Sequence, residues 1–161
     1  MHIGIDPGLT GAVAVLDHAG TLVALYDTPI LTLTTNRGSR AEYDLPGMAA
    51  LLRPYTGTGL QVFIEEAQAM PGQGTRSMFQ LGLGFGVWLG MLGALGLAHT
   101  RIRPHVWKRT LGLTSDKEQA RLRAMQLFPA ADLRRKKDHG RAEALLLGYY
   151  GWQHQRTARP V

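Results

Sequence analysis

The chain has 161 residues, 45% of them hydrophobic, with no cysteine and a formal net charge of +6. That length suits one folded domain with a real core, and the apolar content speaks against a disordered chain. The absence of cysteine rules out disulfides, thiolate zinc sites and cysteine nucleophiles, and it fits a reducing, cytoplasmic setting.

The charge is unevenly spread. Residues 1–100 carry four Lys/Arg against seven Asp/Glu, a balance of −3, whereas residues 101–161 carry fourteen against five, a balance of +9. Clustered cations of this kind favour a polyanionic partner, because binding releases condensed counterions. A purely solvated basic tail accounts only for the closing QHQRTARPV, residues 153–161, which are expected to be flexible.

In chain order, His2–Asp6 predicts a short buried strand, ended by the Pro7-Gly8 turn and not resembling a basic leader. Ala12–Leu16 and Thr21–Tyr26 predict two more strands around a tight turn, together an antiparallel meander. The following TPILTLTTNRGSRAEYD is polar in its second half and is expected to be a mobile, substrate-touching loop. A short helix is expected over Leu45–Arg53, then a fourth strand at Gln61–Glu65 whose consecutive Val62, Phe63 and Ile64 suggest burial on both faces. After the Met70–Gly74 loop, a helix is predicted from Thr75 or Ser77 to about Leu95.

That helix carries Gly82, Gly86 and Gly90, each four residues apart, with Gly93 three further on. Glycine costs roughly 1 kcal/mol against alanine inside a helix, so a repeated stripe implies close packing: by another part of the chain, a second subunit or a nucleic-acid backbone. Leu81–Ala98 is apolar, yet six glycines interrupt it and no charges anchor its ends, which favours a core or interface helix over a membrane span. A fifth strand is predicted at His99–Arg103. A helix capped by Ser115 with Glu118 three residues later follows, with Leu122, Met125 and Phe128 inside and Lys117, Arg121 and Arg123 outside. The last helix is expected from about His139 to Tyr150, and the whole is an α/β domain over 1–152 with a five-stranded mixed sheet flanked by helices.

Asp6 and Glu65 each end an apolar strand, HIGID and VFIE, where strand pairing can bring them together; Glu66 alternates to the opposite face. Asp6 could instead cap the DPGLTG turn. Asp138 can stand at the N-terminus of the last helix, as a metal carboxylate or as a simple cap. His139 and Glu143 lie four residues apart on one face; His139 could be a ligand, orient water or phosphate, or bond a carbonyl. Arg141 faces away from them, toward phosphate or solvent. Hard carboxylate oxygens suit one or two Mg²⁺ ions, which would favour phosphodiester hydrolysis by activating water and offsetting charge on the phosphate. Lys108 or Lys117 could reinforce that stabilisation.

Five segments together carry a resemblance: IGIDPGLTGAVAV, FIEEAQAMPGQG, PHVWKRTLGL, DKEQARLRAMQLFP and KKDHGRAEALLLGYYG. They resemble the RuvC-like Holliday-junction resolvases, particularly the phage and prophage branch, from Met1 to about Trp152. The resemblance implies a ribonuclease H-like fold and Mg²⁺- or Mn²⁺-dependent symmetric nicking of four-way or branched DNA. It also implies 5′-phosphate and 3′-hydroxyl ends, a homodimer and no membrane, in a bacterial cytoplasm or that of a host. Metal roles carry over to Asp6, Glu65 and Glu143. The common cellular form has another acid three residues before the last one, where this chain has Gly140. Asp138 or His139 must replace it, or the site has three carboxylates. The expected catalytic set is therefore Asp6, Glu65, Asp138, His139 and Glu143, with the four acids as metal ligands.

Candidate DNA contacts are Thr34–Arg40, including Arg37 and Arg40, together with Gln73, Arg76, Phe79, Arg103, Lys108, Arg109, Lys117 and Arg141. Phe79 could stack at a branch or serve as a core aromatic. Competing readings are a broader nuclease for branched DNA or RNA–DNA hybrids, and a non-catalytic junction-binding protein. An actin-like ATPase shares the DPGLTG turn, but the chain lacks room for its paired domains.

Overall fold

The computed structural model describes residues 1–36, 38–56, 59–68 and 72–157. Arg37, Met70 and Pro71 lie outside the described residues, as do 158–161. The elements are β1 (His2–Asp6), β2 (Ala12–Leu16), β3 (Leu22–Asp27), β4 (Ile30–Thr35), β5 (Gly38–Tyr43), α1 (Leu45–Leu52), β6 (Gln61–Glu65), α2 (Thr75–Ala94), β7 (His99–Ile102), α3 (Pro104–Thr110), α4 (Lys117–Leu127) and α5 (His139–Thr157).

The main sheet runs β3-β2-β1-β6-β7. β1, β2 and β3 form the antiparallel meander, and β6 and β7 add in parallel. The pleat sends alternate residues to opposite faces, which separates two cores. Ile3, Ile5, Val13, Val15, Val62 and Ile64 meet Met48 and Leu52 of α1 and Trp88 and Leu92 of α2. Ala12, Ala14, Leu16 and Phe63 meet Trp107 of α3, Ala120 and Ala124 of α4 and the apolar run Ala144–Leu147 of α5.

The second face is closed by main chain meeting main chain. A β-carbon at Gly4 would lie 2.1 Å from the Ala144 carbonyl oxygen and 2.4 Å from the Gly148 nitrogen. At Gly140, one would lie 2.2 Å from the Thr10 carbonyl oxygen and 3.0 Å from Oδ2 of Asp6. At Gly151, one would strike the Phe63 ring, 2.2 Å from Cε2. Gly140, Ala144 and Gly148 recur every four residues, so α5 presents a flat face to β1.

The glycine stripe of α2 behaves differently. Among the described residues, β-carbons at Gly82, Gly86, Gly90 and Gly93 would meet no atom within 4 Å beyond the helix itself. The buried residues of α2 are Gly84, Trp88 and Leu92, on the other side of the helix. Among the described residues no part of the chain packs on that stripe, so intramolecular packing, one of the expectations, is not what they show.

Other expectations are also corrected. The segment expected as a mobile loop is a β-hairpin, β4 with β5, in register from Ile30↔Tyr43 to Thr35↔Gly38. Its β-branched Ile30, Thr32, Thr34 and Thr35 favour extended chain despite their exposure, and Gly38 turns with φ +115°. The α4 cap is Asp116, not Ser115, with its carboxylate accepting from the Glu118 N–H at 2.9 Å. Arg121, expected outside, is buried, and Leu122, expected inside, is exposed. Arg121 holds Glu118 with two nitrogens and donates to the Leu133 carbonyl, which pins the 128–138 connection onto α4. α5 continues to Thr157, so residues 153–157 of the expected tail are helical.

Gly4→Ala should therefore be severely destabilising. The clash is with backbone rather than a movable side chain, so the loss should reach or exceed the ~1–3 kcal/mol typical of overpacking. Gly86→Ala, which meets no atom, should leave the urea midpoint unchanged or raise it. Equilibrium denaturation of the two variants under conditions that keep the chain monomeric measures the contrast.

Candidate active site

The parallel register Ile5↔Ile64 sets the next residues of β1 and β6, Asp6 and Glu65, side by side at the carboxyl ends of central strands. By the same alternation as Gly4 and Phe63, both belong to the α5 face of the sheet. Glu143 comes from one turn into α5 and is buried. Glu66 is occupied elsewhere, accepting from Arg103 Nε at 3.2 Å.

The three acids are electrostatically joined. Burial, then repulsion from Glu143, pushes the Asp6 carboxyl up to about 6. Burial, then repulsion from Glu143 and from Asp6, pushes Glu65 up to about 7. Two opposing donors come from consecutive residues of α3. The Trp107 indole N–H donates to Oε2 of Glu65 at 2.7 Å, and Lys108 Nζ donates to Oε1 of Glu143 at 2.6 Å. Lys108 and Lys117 also act as positive charges on Asp6.

Around Asp6, the Gly8 N–H lies 3.4 Å from Oδ1, and the Tyr43 hydroxyl donates to the Pro7 carbonyl at 3.3 Å, fixing the turn from above. Tyr43 in turn fills the space left by Gly84 of α2, where a β-carbon would sit 2.0 Å from its hydroxyl oxygen.

Among the described residues, no three His, Asp or Glu side chains close into a ready ligand cluster. Like charges at short range spread apart, and Lys108 holds Glu143. The donor set nevertheless fits a hard divalent cation: three carboxylates on rigid elements, two of them resisting ionisation through burial and then mutual repulsion, which a bound cation would offset. Nδ1 of His139, next to Gly140 and buried without a hydrogen-bond partner, adds an uncommitted polar atom beside the same helix start.

Asp138 is placed differently from the other acids. It is 3% exposed and turns back onto Arg135, accepting from its main-chain N–H at 2.8 Å and its guanidinium at 2.7 Å. Burial opposes its ionisation, but Arg135 outweighs that and holds the carboxyl below the usual range. It lines a 300 Å³ pocket with Thr10, Asp27, Thr28, Arg135 and Arg141. A side chain so engaged would have to leave Arg135 to serve as a metal ligand. Arg141, expected to face phosphate or solvent, is likewise committed, with Nη2 donating to Asp27 at 2.9 Å and a further contact to Asp132.

Of the remaining candidates, Arg76, Arg103, Arg109 and Lys117 are exposed, Arg40 pairs with Glu42 at 2.7 Å, and Gln73 donates to Ser77. Phe79 is 67% exposed, so it is not a core aromatic. It borders a groove between the β4–β5 hairpin and α2 that Arg40, Tyr43, Leu45 and Leu83 also line. Trp107 and Tyr43 were absent from the expected site, although Trp107 stands in the PHVWKR segment immediately before Lys108.

Two solved structures of Thermus thermophilus RuvC match nearly the whole chain. One, in complex with a Holliday junction substrate, superposes with a TM-score of 0.66 over 97% of this chain and 94% of that one, at 17% identity. The chain has the RuvC fold. The other RuvC structure gives a TM-score of 0.61 at 18% identity over 96% of this chain and 95% of that one. In sequence, the chain is similar to the chloroplastic Holliday junction resolvase MOC1 of Chlamydomonas reinhardtii, 34% identical over 116 residues. That alignment takes in 68% of this chain and 13% of the relative's length. No family model matches the chain. The ribonuclease H-like, five-stranded mixed sheet with flanking helices is thus the architecture this chain shares with RuvC.

The raised Asp6 carboxyl makes a linkage prediction. Its native pKa lies above its unfolded one, so its contribution to stability is full below about 4 and is lost as pH rises through about 6. In EDTA, Asp6→Asn should melt with wild type at pH 4 and on the order of a few degrees higher at pH 8. Adding Mg²⁺ at pH 8 should raise the wild-type melting temperature and leave Asp6→Asn nearly unmoved. Thermal melts across pH 4–8 test both signs.

Proposed function

We propose that this chain is a divalent-metal-dependent endonuclease that resolves Holliday junctions by hydrolysing phosphodiesters in the DNA strands. The observation that carries the proposal is the joined centre of Asp6, Glu65 and Glu143 at the strand ends of a RuvC fold. The similarity to a named Holliday junction resolvase supports the substrate class, and the strongly basic C-terminal part supports a polyanion. The KDHGRAEALLL wording supports placing it in the phage-type branch.

Asp6, Glu65 and Glu143 would hold the cation, Mg²⁺ or Mn²⁺. When bound, it supplies water activation at neutral pH and neutralises charge on the phosphate. The protein's own part is positional. β1 and β6 are fixed by their ladder, so Asp6 and Glu65 keep a constant separation. Lys108 neutralises Glu143 and adds positive charge beside the reacting phosphate, while exposed Lys117 does so from the start of α4. The groove between the hairpin and α2, bordered by Phe79, is a surface that a branched substrate would meet.

We also propose that the active form is a homodimer using the outer face of α2. That helix is long and apolar enough to cross a bilayer, yet only 17% of its most apolar stretch is buried within the chain. Its outward glycines would let a second copy of the helix approach closely, and a dimer suits two equivalent strands. Analytical ultracentrifugation without detergent should give twice the 17.6 kDa chain mass, and Gly86→Glu should return it to monomer with its circular dichroism unchanged.

Asp6→Asn and Glu65→Gln should each lower junction cleavage by about 10²- to 10³-fold while retaining junction binding in a gel-shift assay. EDTA should abolish wild-type cleavage, and either Mg²⁺ or Mn²⁺ should restore it. A panel of four-way junctions, flaps, nicked duplexes and RNA–DNA hybrids measures breadth. Equal cutting of all of them would favour the general nuclease, and binding without nicking in either metal would leave a junction-binding protein.

A further inference from the structure

We infer that Trp107 is a positioning residue for the metal centre: its indole N–H fixes the Glu65 carboxylate so that one oxygen stays free for the cation. The inference rests on the metal-dependent reading above and concerns a residue that touches neither phosphate nor metal.

Trp107 is fully buried, and its Nε1 donates to Oε2 of Glu65 at 2.7 Å, across 42 positions of sequence. The indole has one donor and no acceptor, so Glu65 is the one use its polar atom has, and the ring cannot turn away without opening the core. Glu65, by contrast, is a flexible side chain at a strand end beside two like charges. Left alone, it would swing from Asp6 and Glu143 toward solvent, and each cation would have to reorder it. Holding one oxygen removes that freedom in advance. A tryptophan does this without introducing a charge that would compete for the carboxylate, as a lysine or arginine would.

The neighbouring residue extends the device. Lys108 Nζ lies 5.1 Å from the centre of the Trp107 ring while it holds Glu143. α3 thus reaches two carboxylates from different elements with two consecutive side chains, one neutral and one charged. Pro104 at the first turn starts α3 with φ already set, and the Leu111 and Leu113 amides close its end onto Trp107 and Lys108 carbonyls. The short helix is anchored at both ends around these two residues.

The test follows the indole N–H itself. In ¹⁵N-labelled, DNA-free protein, three tryptophans give three indole cross-peaks, and Trp107→Phe assigns one by its loss. If Trp107 holds a metal ligand, that peak should shift progressively during a Mg²⁺ titration, the other two should move far less, and the shift should vanish in Glu65→Gln. Trp107→Phe should also raise the Mg²⁺ concentration for half-maximal cleavage by about 10- to 100-fold, as for other groups that orient metal ligands, with the KM for junction DNA unchanged.

A Trp107 peak that stays put across a titration saturating wild-type cleavage would overturn the inference even if the phenylalanine variant folds poorly. So would a normally melting Trp107→Phe protein with wild-type Mg²⁺ dependence; both results leave the junction-nuclease reading intact. Failure of wild type to cut junctions in Mg²⁺ or Mn²⁺ would instead remove that reading, and this one with it.

Discussion

Everything at the candidate centre depends on how closely α5 lies against β1. The two backbones touch where Gly4 faces Ala144 and Gly148, and again where Gly140 faces the Thr10–Gly11 turn and Asp6. Side chains normally hold packed layers apart, by about 10 Å between stacked sheets. Removing them on both sides lets Glu143 come down within electrostatic reach of Asp6 and Glu65, whose carboxyls are raised first by burial and then by that repulsion. The same contact explains why Gly140 stands where an acid could have been expected. A side chain there would enter the space of Asp6 and the Thr10 carbonyl, so at this closeness the position is one of packing.

A centre built this way stores repulsion. Three acids are brought together by apolar packing of the surrounding strands and helix, which is strong enough to hold them against their mutual charge. The protein relieves part of that repulsion with α3, through a neutral indole on Glu65 and an ammonium on Glu143. The buried Lys108–Glu143 pair has a desolvation cost that its attraction must offset. A pair in that position is better understood as orienting Glu143 than as a source of net stability. Asp138 shows the opposite arrangement: one acid, fully matched by Arg135, on the far side of the helix start.

Much of this was legible in the residues. The strand ends HIGID and VFIE, the parity separating Glu65 from Glu66, the helix bearing Glu143 and the presence of five strands all follow from local periodicity, which depends on a residue and its near neighbours. The hairpin over 30–43 was harder to read, because an exposed ribbon lacks the alternation that marks a half-buried strand. Arg121 was misplaced for a related reason: a guanidinium is buried when its donors meet fixed acceptors, and Glu118 and the Leu133 carbonyl reach it only through folding.

The two glycine series give the clearest division. Gly82, Gly86 and Gly90 in α2 and Gly140, Ala144 and Gly148 in α5 share one four-residue spacing, so periodicity marks both helices as having a small-residue face. Which face another backbone occupies is a property of the packed chain, and there the outcomes are opposite: the first opens outward and the second is closed on β1. The sequence by itself determined which residues could be acids at strand ends and where the elements lie, because those depend on short-range geometry. Tertiary structure alone decided that Asp6, Glu65 and Glu143 share one field, that Asp138 belongs to Arg135, and that Trp107 serves Glu65. Charge, burial and hydrogen-bond partnership are relations between distant segments, and they exist only once the chain has closed on itself.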